Sequence, residues 1–252
     1  MDVVIGTPID SKGIYIIDKF LSNQKQIQSR YPLSELVLAT SENELIGELE
    51  RFIKLLKLKG HVLPYEVAKP DHAQTNIWEI TFGREAIRQY MLNQTEAEYL
   101  LFVDADMIVE PSLVSIMKQE IEGYDVIFSG YPLRNHGIGL AGAGCAMLKR
   151  SILGKLNFRC YEFKNGEVIF EDNMLEMDLF RLRSRVKKGF FLTINHFNNT
   201  DDMKQITPRQ VEAFRKLINH PLLRYGLLKA SIVCQYNIPW RLKILTSRFF
   251  GV

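Results

Sequence analysis

The sequence predicts an α/β protein, a mixed and mostly parallel sheet flanked by helices, with a short helical C-terminal extension. Three observations carry this. Short β-rich runs alternate with amphipathic stretches between residues 3 and 196, the pattern of strands joined by helical crossovers. The 252 residues are 46% hydrophobic and 24% charged, enough apolar material for one ordinary core plus an appendage, which excludes disorder. The charge balance breaks sharply near residue 204. From Lys204 onward nine Lys and Arg face the single acid Glu212, so a tail of net +8 follows 203 residues that carry −5 of the overall +3.

Taken in order, Val3–Gly6 is the first strand, and Ile14, Ile17, Phe20 and Leu21 form a helical stripe. Leu36–Thr40 is the second strand, followed by the strongly helical ENELIGELERFIKLLKLKG, for which Gly60 supplies a stop. His61–Val67 reads as a third strand and Asn76–Leu92 as a helix leading to a strand at Tyr99. Pro111–Glu122 is helical and Asp125–Ser129 extended. GAGCAMLK at 142–149 begins in a glycine-rich turn and runs into a strand, Glu171–Val186 is helical, and Phe190–Ile194 returns to the sheet. The polar NNTDDMKQ at 198–205 marks the last boundary, dividing a catalytic domain, 1–203, from a basic, mostly helical extension, 204–252, with breaks at Pro221 and Pro239.

Cys145, Cys160 and Cys234 are widely spaced and form no CxxC pair, which suggests neither a zinc site nor a disulfide framework and fits a reducing, cytoplasmic compartment. The N-terminus lacks the basic-then-apolar pattern of a secretory signal, and no run of roughly 18 apolar residues spans a membrane.

The chemistry centres on YLLFVDADMIVEP at 99–111. An apolar strand that ends in two carboxylates one residue apart suits a hard divalent cation, Mg²⁺ or Mn²⁺, which keeps open positions for phosphate oxygens. The alternative is a strand end whose aspartates cap the next turn. Carboxyl ends of strands line the ligand crevice of open α/β sheets. Gly6-Thr7-Pro8, Asp104-Ala105-Asp106, the turn at Gly142 and Gly144, and Glu171-Asp172 can therefore converge.

LLFVDADMIVEP, GAGCAMLKR and FEDNMLEMDLFRLR, in that order, resemble the GT-A glycosyltransferases, particularly the inverting, family-2-like enzymes that use sugar nucleotides, over roughly Val3 to His196. The resemblance implies transfer of a sugar from a nucleotide donor to an acceptor hydroxyl, with inversion and a Mn²⁺ or Mg²⁺ cofactor. It places Thr7 and Pro8 near the base and ribose. Thr40-Ser41-Glu42 stands where an acidic pair usually reads the base, so Thr40 and Glu42 are donor-binding candidates. Arg84 matches an Arg that faces the diphosphate, although Glu85 follows it where Asn is common. Asp106 ligates the metal, Asp104 contacts the ribose or the metal shell beside Ala105, and His196 completes the shell. Asp172 is the base, Glu171 orients the acceptor or supports that base, and Gly144 lines the acceptor pocket.

Each has a structural alternative. Glu171 and Asp172 are favourable charges at a helix start, Gly142 and Gly144 permit a tight turn, Thr7 precedes a strand-ending Pro, Arg84 is a solvated helix residue, and His196 is structural. The acceptor is a glycan, a lipid-linked molecule or a protein. The tail NIPWRLKILTSRFFGV has the composition of an interfacial segment that would hold the enzyme at the cytoplasmic face of an anionic membrane; the alternative is packing on the catalytic domain or on a second copy in a homo-oligomer. Nucleic acid is not an expected partner. The rival functions are a nucleotidyltransferase of related fold, a phosphohydrolase, and a nonenzymatic module that binds sugar nucleotides.

Overall fold

The apolar runs bury on both faces of one sheet. In β1 (Val3–Pro8) Val3 and Ile5 face one layer while Val4 faces the other, and in β2 (Ser34–Thr40) Leu36 and Leu38 are divided from Val37 and Ala39 in the same way. Side chains two residues apart share a face, so a strand with few polar positions belongs between two apolar layers. The computed structural model describes residues 1–133, 138–139, 142–206 and 210–212.

The remaining strands are β3 (Gly60–Pro64), β4 (Tyr99–Val103), β5 (Met107–Val109), β6 (Val126–Ser129), β7 (Tyr131–Pro132), β8 (Ile138–Gly139), β9 (Cys145–Lys149), β10 (Tyr161–Glu162), β11 (Val168–Ile169), β12 (Val186–Gly189), β13 (Ile194–Phe197) and β14 (Met203–Lys204). The central sheet has the order β12-β6-β9-β4-β1-β2-β3. Its pairs are parallel except where β9 lies antiparallel between β4 and β6. The helices are α1 (Ile17–Arg30), α2 (Asn43–Leu55), α3 (Ile77–Gln94), α4 (Leu113–Glu120), α5 (Arg150–Leu153) and α6 (Glu171–Arg181). The first, second and fourth bury Phe20, Leu49 and Met117 on one face, while the other three bury Ile87, Leu153 and Leu175 on the opposite face. This is the expected mixed, mostly parallel sheet between helical layers.

A second sheet, β14-β13-β5, forms beyond the aspartates and was not foreseen, because three-residue strands leave little periodic signal. Asn23 on α1 closes one side of it, donating to the Val109 carbonyl (2.7 Å) and accepting from the Val109 amide (3.0 Å) as a neighbouring strand would. The sheet continues to Lys204, one residue into the segment assigned to the extension.

Three boundaries are corrected. The second helix ends at Leu55, with Lys57 at φ 51° in the left-handed position expected of a glycine, so Gly60 opens β3 rather than stopping the helix. The third strand closes at Pro64 rather than Val67. The helix from Glu171 stops at Arg181, where Arg183 (φ 53°) turns the chain; the central-sheet strand is then Val186–Gly189, paired with Val126–Ser129, and not Phe190–Ile194. The extension beyond residue 212, with Pro221, Pro239, Cys234 and the interfacial segment, lies outside the described residues. Cys145 and Cys160 are free and buried, and no helix among the described residues is long and apolar enough to cross a membrane.

Gly60 is needed for close approach: a Cβ there would lie 2.2 Å from the Leu36 carbonyl oxygen, a backbone atom that cannot swing away. Gly47, exposed within α2, meets nothing within 4 Å. Gly60→Ala should therefore destabilise the protein by roughly 1–3 kcal/mol, whereas Gly47→Ala should stabilise it by about 0.5–1 kcal/mol by restoring helix propensity. Urea titration of both variants checks this pair of opposite signs.

Candidate active site

Parallel strands finish at one edge of the sheet, and the reversed β9 begins there. That edge opens into a cleft of about 650 Å³ lined by Pro8 at the end of β1, Asp104 to Asp106 after β4, Tyr131 after β6, and the start of α6. Behind it the Gly142–Gly144 turn enters β9, and the Asp104 amide donates to the Gly144 carbonyl at 3.0 Å. A Cβ on Gly142 would fall 1.9 Å from the Tyr131 hydroxyl, and one on Gly144 would fall 2.6 Å from Asp104 Oδ2. At both positions a Cβ would displace a cleft side chain that lies directly on the turn.

Helix α3 delivers Arg84, which is only 3% exposed, to the floor. Its Nη2 donates to Asp104 Oδ1 at 2.8 Å; its Nη1 donates to the Glu171 carboxylate and lies 3.4 Å from Asp172 Oδ1. The guanidinium also rests 5.8 Å from the Phe102 ring centre. The reading of Arg84 as a solvated helix residue is thereby overturned. Burial opposes its charge, but Asp104, Glu171 and Asp172 outweigh that and move its pKa upward. Glu85, the departure from the expected Asn, pairs with Arg88 and accepts the Phe158 amide at 2.9 Å.

One cation cannot compensate three carboxylates. Glu171 is 4% exposed; burial pushes its pKa up and the Asp172 charge adds to this, against the pull of Arg84, leaving it at about 8. Asp172 is also raised, by burial first, although Arg84 and the Ala143 amide, 2.8 Å from Oδ1, oppose the shift. The Glu171–Asp172 pair therefore holds a proton near neutrality.

Asp106 belongs to a different group. Antiparallel pairing of β13 with β5 sets His196 opposite Met107, and its Nε2 lies 3.1 Å from Asp106 Oδ2. Nδ1 is 2.6 Å from the Pro132 carbonyl, which can only accept, so Nδ1 carries a proton and Nε2 is left facing the carboxylate. Burial disfavours the imidazolium, but Asp106 and the Pro132 carbonyl more than offset this and raise its pKa. A carboxylate and an oriented imidazole nitrogen are a fitting donor pair for Mn²⁺ or Mg²⁺ whose other positions go to phosphate oxygens and water. Among the described residues no three His, Cys, Asp or Glu converge as a metal cage. Asp104 Oδ1 is turned to Arg84, and its Oδ2 lies toward the Gly144 turn.

Of the other donor-side candidates, Pro8 and Ala105 line the cleft. Thr7, Thr40 and Glu42 do not, and neither does Gly144, the residue expected to line the acceptor pocket. Thr7 is fully buried and donates to the Val103 carbonyl at 2.7 Å, tying β1 to β4. Thr40 is buried and accepts the Glu42 amide at 3.2 Å, while Glu42 in turn holds the Ser11 amide and hydroxyl. These residues shape the loop after β1 from behind. Tyr131 and Phe170 were missed. Tyr131 stands edge-on to His196, with ring centres 5.9 Å apart, and burial with the nearby Asp172 and Asp104 keeps its phenol protonated. Its place at the carboxyl end of a strand was the available signal; Phe170 was visible only as the residue before Glu171.

No protein-family profile and no curated protein matches the sequence. Solved structures do. S. aureus TarS 1–349 is 16% identical over 74% of this chain and 57% of that chain, with a TM-score of 0.53. The same fragment in complex with UDP-GlcNAc is 14% identical over 94% and 71%, at 0.57. The inositol-1-phosphate CTP transferase from T. maritima is 9% identical over 87% and 97%, at 0.51. The chain thus spans little more than half of the first of these. At such identities the likeness defines the fold alone, and that fold is the GT-A type.

Because Glu171 takes up a proton on folding, wild-type stability should fall as pH rises from about 5 to 8, by at most about 1.4 kcal/mol per unit. Glu171→Gln, which keeps the shape and removes the titration, should lose less over that range. Denaturant titrations at several pH values measure the difference, and a difference that does not change with pH would place the proton elsewhere.

Proposed function

We propose that the protein is a metal-dependent glycosyltransferase that moves a sugar from a nucleotide donor to an acceptor hydroxyl with inversion. The observation that supports this best is the division of four carboxylates into two groups within one cleft, Asp106 with His196, and Asp104, Glu171 and Asp172 around Arg84. Displacement of a nucleoside diphosphate needs positive charge at the leaving oxygen and a base on the opposite side of the anomeric carbon. Asp106 and His196 would hold Mn²⁺ or Mg²⁺, which when bound supplies that positive charge. Asp104, fixed by Arg84 and the Gly144 carbonyl, seats the ribose next to Ala105, and Pro8 borders the nucleoside.

Asp172 accepts the acceptor proton as the acceptor oxygen bonds to the anomeric carbon. The bond from that carbon to the diphosphate breaks, and its electron pair leaves on the diphosphate. Arg84 and the Ala143 amide stabilise the ionised form of Asp172, and Glu171 shares the proton inventory from its buried position. Inversion follows from base and leaving group lying on opposite sides.

Nucleotidyl transfer is the rival that the T. maritima neighbour brings forward. It needs a cradle of free backbone amides after β1 to hold phosphates, beside a cation such as Lys12. Here the Ser11 amide is given to Glu42 and the Gly13 amide to Asp10, at 2.8 Å from Oδ1, which supports glycosyl transfer instead. Contact of residues 237–252 with an anionic membrane surface belongs to the same proposal and rests on composition alone.

A thermal-shift screen of UDP-, GDP-, CMP- and dTDP-sugars, with and without Mn²⁺, should single out one donor that stabilises the protein only with the ion. With that donor, Asp106→Ala should abolish the ion-dependent shift. Asp172→Asn should keep donor binding and reduce transfer at least ~100-fold. Transfer at the wild-type rate would remove Asp172 from the role of base.

A further inference from the structure

Glu162 is a buried carboxylate, 3% exposed, that does not itself line the cleft. Its partners all come from the segment that leads into α3, 84 to 88 residues earlier. Oε1 accepts the Gln74 amide at 2.7 Å; Oε2 accepts the Thr75 hydroxyl at 2.8 Å, the Trp78 indole N–H at 3.0 Å and, more weakly, the Thr75 amide at 3.4 Å. The Glu162 carbonyl also accepts from His72 Nε2 at 2.9 Å. Burial raises the pKa of the carboxyl, but these donors outweigh burial and hold it below its usual value.

This tie brackets a stretch of the cleft wall. Asn76 and Ile77 lie between the Thr75 and Trp78 donors, and both line the cleft, as does Ile80 one turn further on. Asn76 is the N-cap of α3 yet makes no capping bond with its side chain, so Glu162 and not the local sequence fixes the chain there. The next turn of α3 rests on the end of β1: a Cβ on Gly83 would lie 3.0 Å from both Pro8 Cβ and the Tyr65 hydroxyl. The bracketed wall therefore stands on the side of Pro8.

The other end of the tie is anchored to α6. Glu162 belongs to β10, which pairs with β11, and Phe163 and Ile169 of this hairpin pack with Met174 and Met177 of α6 in a small core of their own. A two-stranded hairpin is marginal alone and takes its rigidity from such packing. One carboxylate thus joins the start of α3 to the unit that carries Glu171 and Asp172, which are held independently by Arg84 and the Ala143 amide. Resting on the glycosyltransferase reading, in which Pro8 borders the nucleoside, we propose that Glu162 is a positioning residue for the donor: it holds Asn76 and Ile77 in place, so that the nucleoside meets a preformed wall.

Glu162→Gln keeps the side-chain volume but replaces one acceptor oxygen by a donor, and Trp78→Phe removes the indole N–H while keeping an aromatic ring. Titration calorimetry of the full chain with UDP, GDP, CDP and dTDP in the presence of Mn²⁺ identifies the nucleotide that binds. Its Kd should rise roughly tenfold in Glu162→Gln, the effect of a wall that is in place about a tenth of the time, and by a smaller factor in Trp78→Phe. Hydrogen exchange at the Gln74 and Thr75 amides should quicken in Glu162→Gln and slow again when nucleotide binds. Gly60→Ala, altered at the far end of the strands, is the control: it should melt earlier than the wild type and bind nucleotide equally well. Unchanged exchange at the two amides, unchanged affinity in Glu162→Gln, or an equal loss of affinity in Gly60→Ala overturns the proposal and leaves the donor reading intact. If Glu162→Gln does not fold, wild-type affinity in Trp78→Phe overturns it in the same way. Failure of all four nucleotides to bind the wild type overturns the donor reading and this proposal with it.

Discussion

The cleft is organised by an excess of negative charge around one buried guanidinium. Asp104, Asp106, Glu171 and Asp172 all line it, and Arg84 touches three of them at once. Taking charges out of water is tolerated only when each is paired, protonated or hydrogen-bonded. The molecule uses all three solutions. Arg84 pairs with Asp104, a retained proton neutralises part of the Glu171–Asp172 pair, and His196 answers Asp106. Arg84 cannot be exchanged for Lys without loss of this arrangement, because only a planar fork of donors reaches carboxylates on two different elements from one position.

The sheet topology makes this convergence possible. If β9 ran parallel to its neighbours, the Gly142–Gly144 turn would fall at the opposite edge, and Asp172 would lose the Ala143 amide that it accepts. Reversal of a single strand brings a strand beginning to the edge where the others end. The small sheet has the corresponding role for the second group. Pairing β13 with β5 fixes His196 one residue across from Asp106, and Asn23 braces β5 from α1, so the pair is set by backbone register and not by a mobile loop.

Much of this was legible in the sequence, and what was not has physical causes. Long apolar strands and the amphipathic α2 announce themselves because their pattern repeats over several turns or pleats. Asp104, Asp106, Asp172 and His196 were visible because polar groups at the ends of apolar runs are costly unless used. The misread end of the 171–186 helix came from Arg183, whose left-handed backbone is a tertiary choice with no glycine to signal it. The burial of Arg84 could not be read either, since α3 has little amphipathic contrast and a long cation on a helix is ordinarily solvated. Thr7, Thr40 and Glu42 were placed one layer too far forward: strand position put them near the cleft, but their side chains turn back to hold β4 and the Ser11 loop. Tyr131 carried no motif and only its place after a strand to mark it; its contact with two glycines is what reveals it.

The two charge groups are compensated differently, and the difference separates their roles. Around Glu171 and Asp172 the compensation is built in, from Arg84, a backbone amide and a shared proton, so this pair needs no ligand to be compensated in the folded protein. Asp106 and His196 form a pair that is self-compensating when the imidazole is protonated, and that presents a carboxylate and a free ring nitrogen when it is not. A diphosphate entering a cleft with this many carboxylates meets repulsion unless a cation accompanies it. On the proposed reading, donor binding and cation binding are coupled by the charge of the cleft itself.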